Sequence, residues 1–146
     1  MRKKIVNIII KHQEELVENL RKSLETYETT TDLDEESSID LDDKSHQADV
    51  QEMKNRIEEK LVVEQKDLSD IKSLADRESS EIREGAVVQT DECFYFIGFA
   101  FAPIHLSEMQ IYGVERDAPA FVSNKGKKKG DEMILGNEKQ KILNIY

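Results

Sequence analysis

Two narrow stripes of apolar residues run along the first half of the chain at helical spacing. The first advances by three, four and seven residues, with His12 filling one position, through Ile5, Ile9, Leu16, Leu20, Leu24 and Tyr27. The second follows the same rule through Val50, Met53, Ile57, Leu61, Leu68, Ile71 and Ala75. Because polar residues flank both stripes, they predict two coiled-coil helices of about 25 to 30 residues, or about 40 Å each. The stripes could pair between two chains, but the short connection favours an antiparallel hairpin within one chain.

The second half of the chain carries the strand and turn signals. All six glycines and both prolines lie between Gly85 and Gly136. Short aromatic and β-branched runs between them predict a small antiparallel sheet or partial barrel. The predicted strands are residues 86–89, 94–101, 109–114, 120–122, 132–135 and 140–146. The predicted fold class is therefore α+β, with a hairpin domain over residues 1–78, a hinge near 76–80 and a β-rich domain over 82–146.

A block of carboxylates without any basic residue lies between the two predicted helices, over residues 32–43. Its members are Asp32, Asp34, Glu35, Glu36, Asp40, Asp42 and Asp43. Residues 82–146 carry nearly balanced charges, so the formal net charge of −10 belongs mainly to the first half. Such a protein is a poor general nucleic-acid binder, because phosphate contacts need clustered Lys and Arg. The hairpin is predicted to turn here, with Thr29–Thr31 leaving the first helix and Asp40–Asp43 capping the second.

The strongest candidate for metal chemistry in this block is Asp40-Leu41-Asp42-Asp43. Carboxylates three residues apart at the start of a helix lie on one face and can share a hard cation such as Mg²⁺. Mg²⁺ keeps several waters and needs a complete octahedron, so Asp40, Asp42 and Asp43 form only part of a site. The alternative is that these residues only stabilise the helix dipole in a solvated segment.

A second cluster is the lysine-rich run Lys125–Asp131, in which Gly126 and Gly130 bracket three lysines. Such a run could contact phosphate. It lacks the spacing of a P-loop, because no Gly-Lys-Ser/Thr ending follows. A solvated turn between strands is the alternative interpretation.

The single cysteine, Cys93, excludes a disulfide within the chain and a zinc site built from several thiolates. It lies in an aromatic run and is interpreted as a small core residue. No nucleophile is paired with a base in a recognisable motif, so no independent catalytic site is predicted. A reducing, cytoplasmic location fits these features. Ile8–Ile10 is too short for a membrane span, and neither a membrane nor a targeting segment is expected.

A helical hairpin with an acidic tip, followed by a β-rich domain that contains Gly126–Asp131 and Lys141–Ile145, resembles the bacterial transcript cleavage factors of the Gre family. In that family a Ser-Pro pair stands seven residues before the glycine of a Gly-Lys-x-x-Gly-Asp turn. Here Pro119 precedes Gly126 by seven residues, and Ala118 replaces the serine. The resemblance covers nearly the whole chain and implies an FKBP-like fold for the β-rich domain.

The tip motif of the family is only partly present. Its usual Gly-Asp-Leu-x-Glu-Asn-Ala-Glu-Tyr is met by Asp40-Leu41-Asp42-Asp43, with Lys44-Ser45 in place of Asn-Ala. The same stretch is also similar to the Asp-x-x-Asp-Arg-Ala tip of the DksA regulators, which act in the same polymerase channel. The usual cysteine zinc finger of those regulators cannot form in this chain.

The resemblance implies a partner and a mechanism. The β-rich domain would dock at the rim of the RNA polymerase secondary channel through Asp117, Pro119, Gly126 and Lys127. The hairpin would bring Asp40 and Asp43 to the active site, where they complete the coordination of a loosely held Mg²⁺ and orient water for attack on backtracked RNA. On this interpretation the protein binds no cofactor alone, acts on the RNA 3′ end only through polymerase, and is a monomeric elongation factor rather than an enzyme.

Two other functions stay open. One is a regulator of initiation or pausing that occupies the same channel without stimulating cleavage, because the shorter Asp43 replaces the glutamate of the family. Shortening a ligand side chain by one methylene can displace a metal ligand by about 1 Å, which costs about a hundredfold in rate. The other is a coiled-coil adaptor unrelated to polymerase.

Overall fold

The computed structural model describes the backbone of residues 1–34 and 41–146 and the side chains of residues 1–29 and 44–146. In chain order, the elements are α1 (Arg2–Asp34), α2 (Leu41–Leu74), β1 (Val87–Thr90), β2 (Phe94–Gly98), β3 (Ile104–Leu106), β4 (Met109–Glu115), α3 (Pro119–Val122), β5 (Glu132–Leu135) and β6 (Glu138–Ile145). A helical hairpin therefore precedes a small, mostly antiparallel sheet. The predicted α+β fold class is confirmed.

The long helices α1 and α2 contact each other within a compact unit of residues 10–70. The side-chain amide of Gln13 donates to both the main-chain oxygen and the carboxylate of Glu64. Lys54 Nζ lies 3.7 Å from Glu28 Oε1. Residue numbers rise along α1 as those of their partners fall along α2, so the helices are antiparallel, as predicted.

The buried faces of the two helices depart from the predicted stripes at single positions. In α1, Gln13 is buried and His12 only half-buried. In α2, Met53 is 42% exposed, and the half-buried Lys54 takes its place on the inner face. A straight helix has 3.6 residues per turn and drifts against a seven-residue repeat, which moves the buried position by one residue.

The predicted exit from α1 at Thr29–Thr31 is wrong, because the helix continues to Asp34. The hydroxyl of Thr29 donates to the main-chain oxygen of Glu25 at 2.9 Å, and the hydroxyl of Thr26 donates to that of Lys22 at 3.0 Å. Threonine disfavours helices partly because its hydroxyl seeks backbone partners elsewhere. In this helix the hydroxyls bond to carbonyls one turn back.

The sheet has the strand order β3-β4-β2-β1-β6-β5. All neighbouring strands are antiparallel except β2 and β4, which pair in parallel with Phe94 opposite Ile111 and Gly98 opposite Glu115. The predicted small antiparallel sheet is thus mostly antiparallel, with one parallel pair. The cause is β3, which the sequence did not predict. It reverses the chain once more, so that β4 returns in the direction of β2.

The strand predicted at residues 120–122 is wrong, because these residues belong to the short helix α3. Pro119 occupies the start of α3, where its fixed φ suits a helix and its missing N–H costs nothing. The main-chain N–H of Ser123 donates to the oxygen of Pro119 at 2.9 Å, closing the turn. Val122 is therefore helical although it is β-branched, because Pro119 starts the helix three residues earlier.

Residues 1–9 and 71–146 form a second compact unit. Ile5 and Ile9 from α1 and Ile71 from α2 are at most 1% exposed in it. The predicted domain boundary between residues 78 and 82 lies inside this unit. Cys93 is buried in the core of the sheet, as predicted. No helix in the described part of the chain has the length and apolarity that crossing a bilayer requires.

Arg2 is a buried cation that joins the ends of several segments of this unit. Its guanidinium donates to the main-chain oxygens of Leu74 at 2.6 Å, Gly85 at 2.8 Å and Tyr146 at 2.9 Å. Leu74 ends α2, where carbonyls lack partners within the helix. Burial lowers the pKa of Arg2, and the nearby Glu78 and Asp76 oppose that effect. Arg2 therefore caps α2 and ties it to Gly85, just before β1, and to Tyr146, just after β6.

We expect Arg2→Met to lower the free energy of unfolding by about 2 kcal/mol, because the buried carbonyl of Gly85 and the partly buried carbonyls of Leu74 and Tyr146 lose a charged donor. The loss is limited, since the oxygens of Leu74 and Tyr146 also accept main-chain N–H groups. Urea denaturation gives the value. Lys3→Met, which removes the same charge from an exposed neighbouring position, is the control and should change stability by less than about 0.5 kcal/mol. Equal losses in the two variants would show that charge rather than the buried bonds is responsible.

Candidate functional site

The carboxylates predicted to hold Mg²⁺ lie where α1 and α2 are joined. Asp40 falls outside the described residues. Asp42 and Asp43 lie in the first turn of α2, which begins at Leu41, but their side chains are outside the described set. Among the side chains of residues 1–29 and 44–146, no group of three or more His, Cys, Asp or Glu is arranged to hold a metal ion. The metal role of Asp40, Asp42 and Asp43 stays a prediction.

The lysine turn, which we define as residues 125–131, is held by the main chain on both of its sides. The N–H of Gly126 donates to the oxygen of Ile82 at 2.8 Å, and the N–H of Ile82 donates to the oxygen of Lys127 at 2.8 Å. At the other end, Gly130 donates to Ile142 and Ile142 donates to Asp131, both at 2.9 Å. The turn is therefore part of the framework of the domain.

Two local features shape this turn. Gly126 and Gly130 have φ values of +80° and +94°, in the region that glycine adopts without steric cost. Asp131 Oδ2 accepts the main-chain N–H of Lys128 at 2.8 Å, which closes the last part of the loop. The residues Gly-Lys-x-x-Gly-Asp thus have a structural explanation in the conformation of the turn.

Asn124 connects the lysine turn to α3 and β5, and it is completely buried. Its Nδ2 donates to the main-chain oxygens of Ala120 and Ile134, both at 2.6 Å. Its Oδ1 accepts the N–H of Ile134 and the Nζ of Lys127, both at 2.8 Å. One side chain therefore uses its donors and acceptors to hold three segments together.

The lysines of the turn differ in what their ammonium groups contact. Lys127 Nζ donates to Asn124 and, at 2.7 Å, to the main-chain oxygen of Glu132. Lys129 Nζ donates to Asn144 Oδ1 at 2.8 Å. Lys125 and Lys128 are exposed. The ammonium groups of Lys127 and Lys129 are thus engaged within the domain, which favours a structural turn over a phosphate-binding patch.

The predicted docking residues lie just before α3, at its start and in the lysine turn. Asp117 and Pro119 are exposed at the start of α3, and Gly126 is exposed with open space where a Cβ would point. Lys127 is half-buried, and its ammonium group donates a hydrogen bond to Asn124. The surface so formed, with Asp117, Pro119 and Gly126 facing solvent, is called the α3 surface below.

Sequence reasoning missed two residues near the α3 surface, the buried Asn124 and the exposed Val122. Asn124 connects α3, β5 and the lysine turn. The one feature of the sequence that could have indicated it is that asparagine is a common turn residue and here precedes Lys-Gly. Val122 is 68% exposed, whereas Phe121, the preceding residue of the same short helix, is buried in the core. The exposure of Val122 was not predicted, because residues 120–122 were predicted to form a strand.

Comparison with known proteins finds similarity to a solved structure. No protein-family model and no curated protein matches the chain. The crystal structure of GreA factor homolog 1 (Gfh1) of Thermus thermophilus is similar to this chain with a TM-score of 0.38 and 21% sequence identity, covering 94% of each chain.

Proposed function

We propose that this protein is a transcription elongation factor that binds RNA polymerase, inserts its hairpin into the secondary channel and stimulates cleavage of backtracked RNA. The observation that carries the proposal is the pair of antiparallel helices of 33 and 34 residues joined across the acidic block of residues 32–43. The Gre-like turn motif at Gly126–Asp131 supports it.

The dimensions of the hairpin suit a narrow channel. Residues 41–70 of α2 span about 45 Å at 1.5 Å per residue. Two paired helices are about 20 Å wide, because their axes lie 8–10 Å apart. A structure of this kind reaches deep into a recess that admits no globular domain. The acidic block lies where the two helices are joined, so it is the part that arrives first.

The donor set of the tip fits Mg²⁺. The ion prefers carboxylate oxygens and binds through one or two of them when another macromolecule supplies the remaining ligands. Asp40 and Asp43 are three residues apart in the sequence, a spacing that in a helix would bring both side chains to one face. Asp40 and Asp43 would hold the ion together with polymerase groups, and the ion would then supply an activated, oriented water. The two aspartates contribute charge and position, and catalysis belongs to the polymerase.

The direct test uses backtracked elongation complexes of the cognate polymerase at limiting Mg²⁺. Release of short RNA 3′ fragments is followed with and without the protein, and binding is measured in parallel by competition for the secondary channel. Faster cleavage together with binding supports the proposal. Binding without faster cleavage would instead identify a regulator that does not cleave, and no binding at all would leave the adaptor function.

The regulator is the second candidate because of particular tip residues. Asp43 has a shorter side chain than the glutamate of the Gre pattern, and Lys44-Ser45 replaces Asn-Ala. A carboxylate displaced by about 1 Å reduces rates by about a hundredfold. A hairpin with such a tip can still fill the channel and alter initiation or pausing.

The α3 surface supplies a prediction on docking. Val122→Asp places a charge at an exposed apolar position, so we expect polymerase affinity to fall about tenfold, equivalent to about 1.4 kcal/mol. The dissociation constant is measured with labelled protein. Leu143→Asp is the matched control, because Leu143 is an exposed aliphatic residue (37%) in β6, outside both the hairpin and the α3 surface. An unchanged constant for Val122→Asp would remove this residue from the docking surface.

A further inference from the structure

A polar cleft of about 520 Å³ lies in the unit formed by residues 1–9 and 71–146, separate from the α3 surface and from the acidic tip. Residues of β2, β4, β5 and β6 line it, so the sheet curves around it. The volume is in the range of ligand pockets, about 300–1,000 Å³. Neither the proposed polymerase docking nor the Mg²⁺ chemistry uses it.

The floor of the cleft is a buried and internally bonded network. Gln140, which is 4% exposed, accepts the hydroxyls of Thr90 at 2.9 Å and Tyr95 at 3.0 Å. Its amide donates to Glu92 Oε2 at 2.8 Å. Burial is the main cause of a raised pKa for Tyr95, and the neighbouring Cys93 raises this pKa further, so the phenol stays protonated and neutral. The floor is therefore rigid and carries no positive charge.

Negative charge and aromatic surface surround this floor. Glu92, Glu108 and Glu138 are exposed and line the cleft, and none of its described lining residues is lysine or arginine. Tyr95 and Tyr112 stack with ring centroids 5.9 Å apart, and both line the cleft. Glu108 follows Ser107, which has a φ of +57° in the tight turn between β3 and β4, so its position is set by the turn.

We infer that this cleft binds the guanidinium group of an arginine side chain presented by another polypeptide. A guanidinium is planar and weakly hydrated, stacks on tyrosine faces and forms paired hydrogen bonds with carboxylates. The cleft offers exposed carboxylates and the half-buried ring of Tyr112 for these contacts, and no lysine or arginine lines it. Its volume exceeds that of one guanidinium and leaves room for the residues next to the arginine. The inference does not depend on the proposed function.

The test is a titration of the intact protein, followed by ¹H–¹⁵N spectra, with N-acetyl-arginine N-methylamide at low ionic strength. We expect saturable shifts at the amides of residues 92–95, 108–112 and 138–140. The citrulline analogue has the same shape without the charge and should bind at least tenfold more weakly. The lysine analogue should also bind several-fold more weakly, because it cannot stack or form paired bonds.

Charge variants complete the test. Glu108→Gln combined with Glu138→Gln should weaken arginine binding at least tenfold, while the spectrum itself shows that the fold is retained. Glu58→Gln combined with Glu59→Gln makes the same charge change on exposed residues of α2 and should have no effect. The inference is overturned by an absence of shifts, by equal binding of the citrulline or lysine analogue, or by equal effects of the two double variants. Tighter binding of free arginine than of the blocked compound would overturn the assignment to a polypeptide.

Discussion

Replacing both Asp40 and Asp43 with alanine is expected to reduce stimulated RNA cleavage about a hundredfold or more while leaving polymerase binding intact. The two carboxylates are proposed to complete the coordination of a weakly held Mg²⁺, and loss of correct positioning costs about this much. The measurement is the single-turnover cleavage rate in backtracked complexes across a Mg²⁺ titration. We also expect the variant to need more Mg²⁺ for half-maximal rate.

Two comparisons make this result specific. Asp32→Ala combined with Asp34→Ala removes the same charge from the same acidic block and should retain most of the cleavage activity. Asp43→Glu restores the longer side chain of the Gre pattern and should raise the cleavage rate. If both alanine pairs reduced the rate equally, the acidic block would act through its overall charge, and the proposed metal role of Asp40 and Asp43 would be wrong.

Asn124→Ala is expected to lower the free energy of unfolding of the sheet-containing unit by about 3 kcal/mol or more. The substitution leaves the partly buried N–H of Ile134 and the partly buried oxygens of Ala120 and Ile134 without this partner, and an unsatisfied buried group costs about 1–3 kcal/mol. It also frees Lys127 from one bond. The chain has no tryptophan, so urea denaturation can be followed through the fluorescence of its tyrosines.

The matched control for this prediction is Asn55→Ala. Asn55 is exposed in α2 and accepts a hydrogen bond from Gln51, so the same substitution should change stability by less than about 0.5 kcal/mol. We further expect Asn124→Ala to weaken polymerase binding, because α3 and the lysine turn lose their connection. Retained stability and retained binding together would contradict the role given to Asn124.

Local patterns in the chain were sufficient for several elements. The predicted strand over residues 132–135 coincides with β5, because glycines bound a short apolar run. The prediction for β2 extended to residue 101, whereas the strand ends at Gly98, whose φ is +107°. The error at residues 120–122 arose because Val122 favours strands locally, whereas Pro119 and the bonds of Asn124 favour α3.

The sequence by itself determined that two long helices form an antiparallel hairpin and precede a small sheet, because repeats of apolar residues and the positions of glycine are local properties. The tertiary structure alone decided the parallel pairing of β2 with β4, the buried bonds of Arg2 and Asn124, and the cleft between Glu108 and Gln140. Arg2 bonds to Gly85 and Tyr146, and Gln140 to Glu92. Such contacts depend on which distant segments of the chain come together in the fold. The spacing of residues along the sequence does not specify which segments these are.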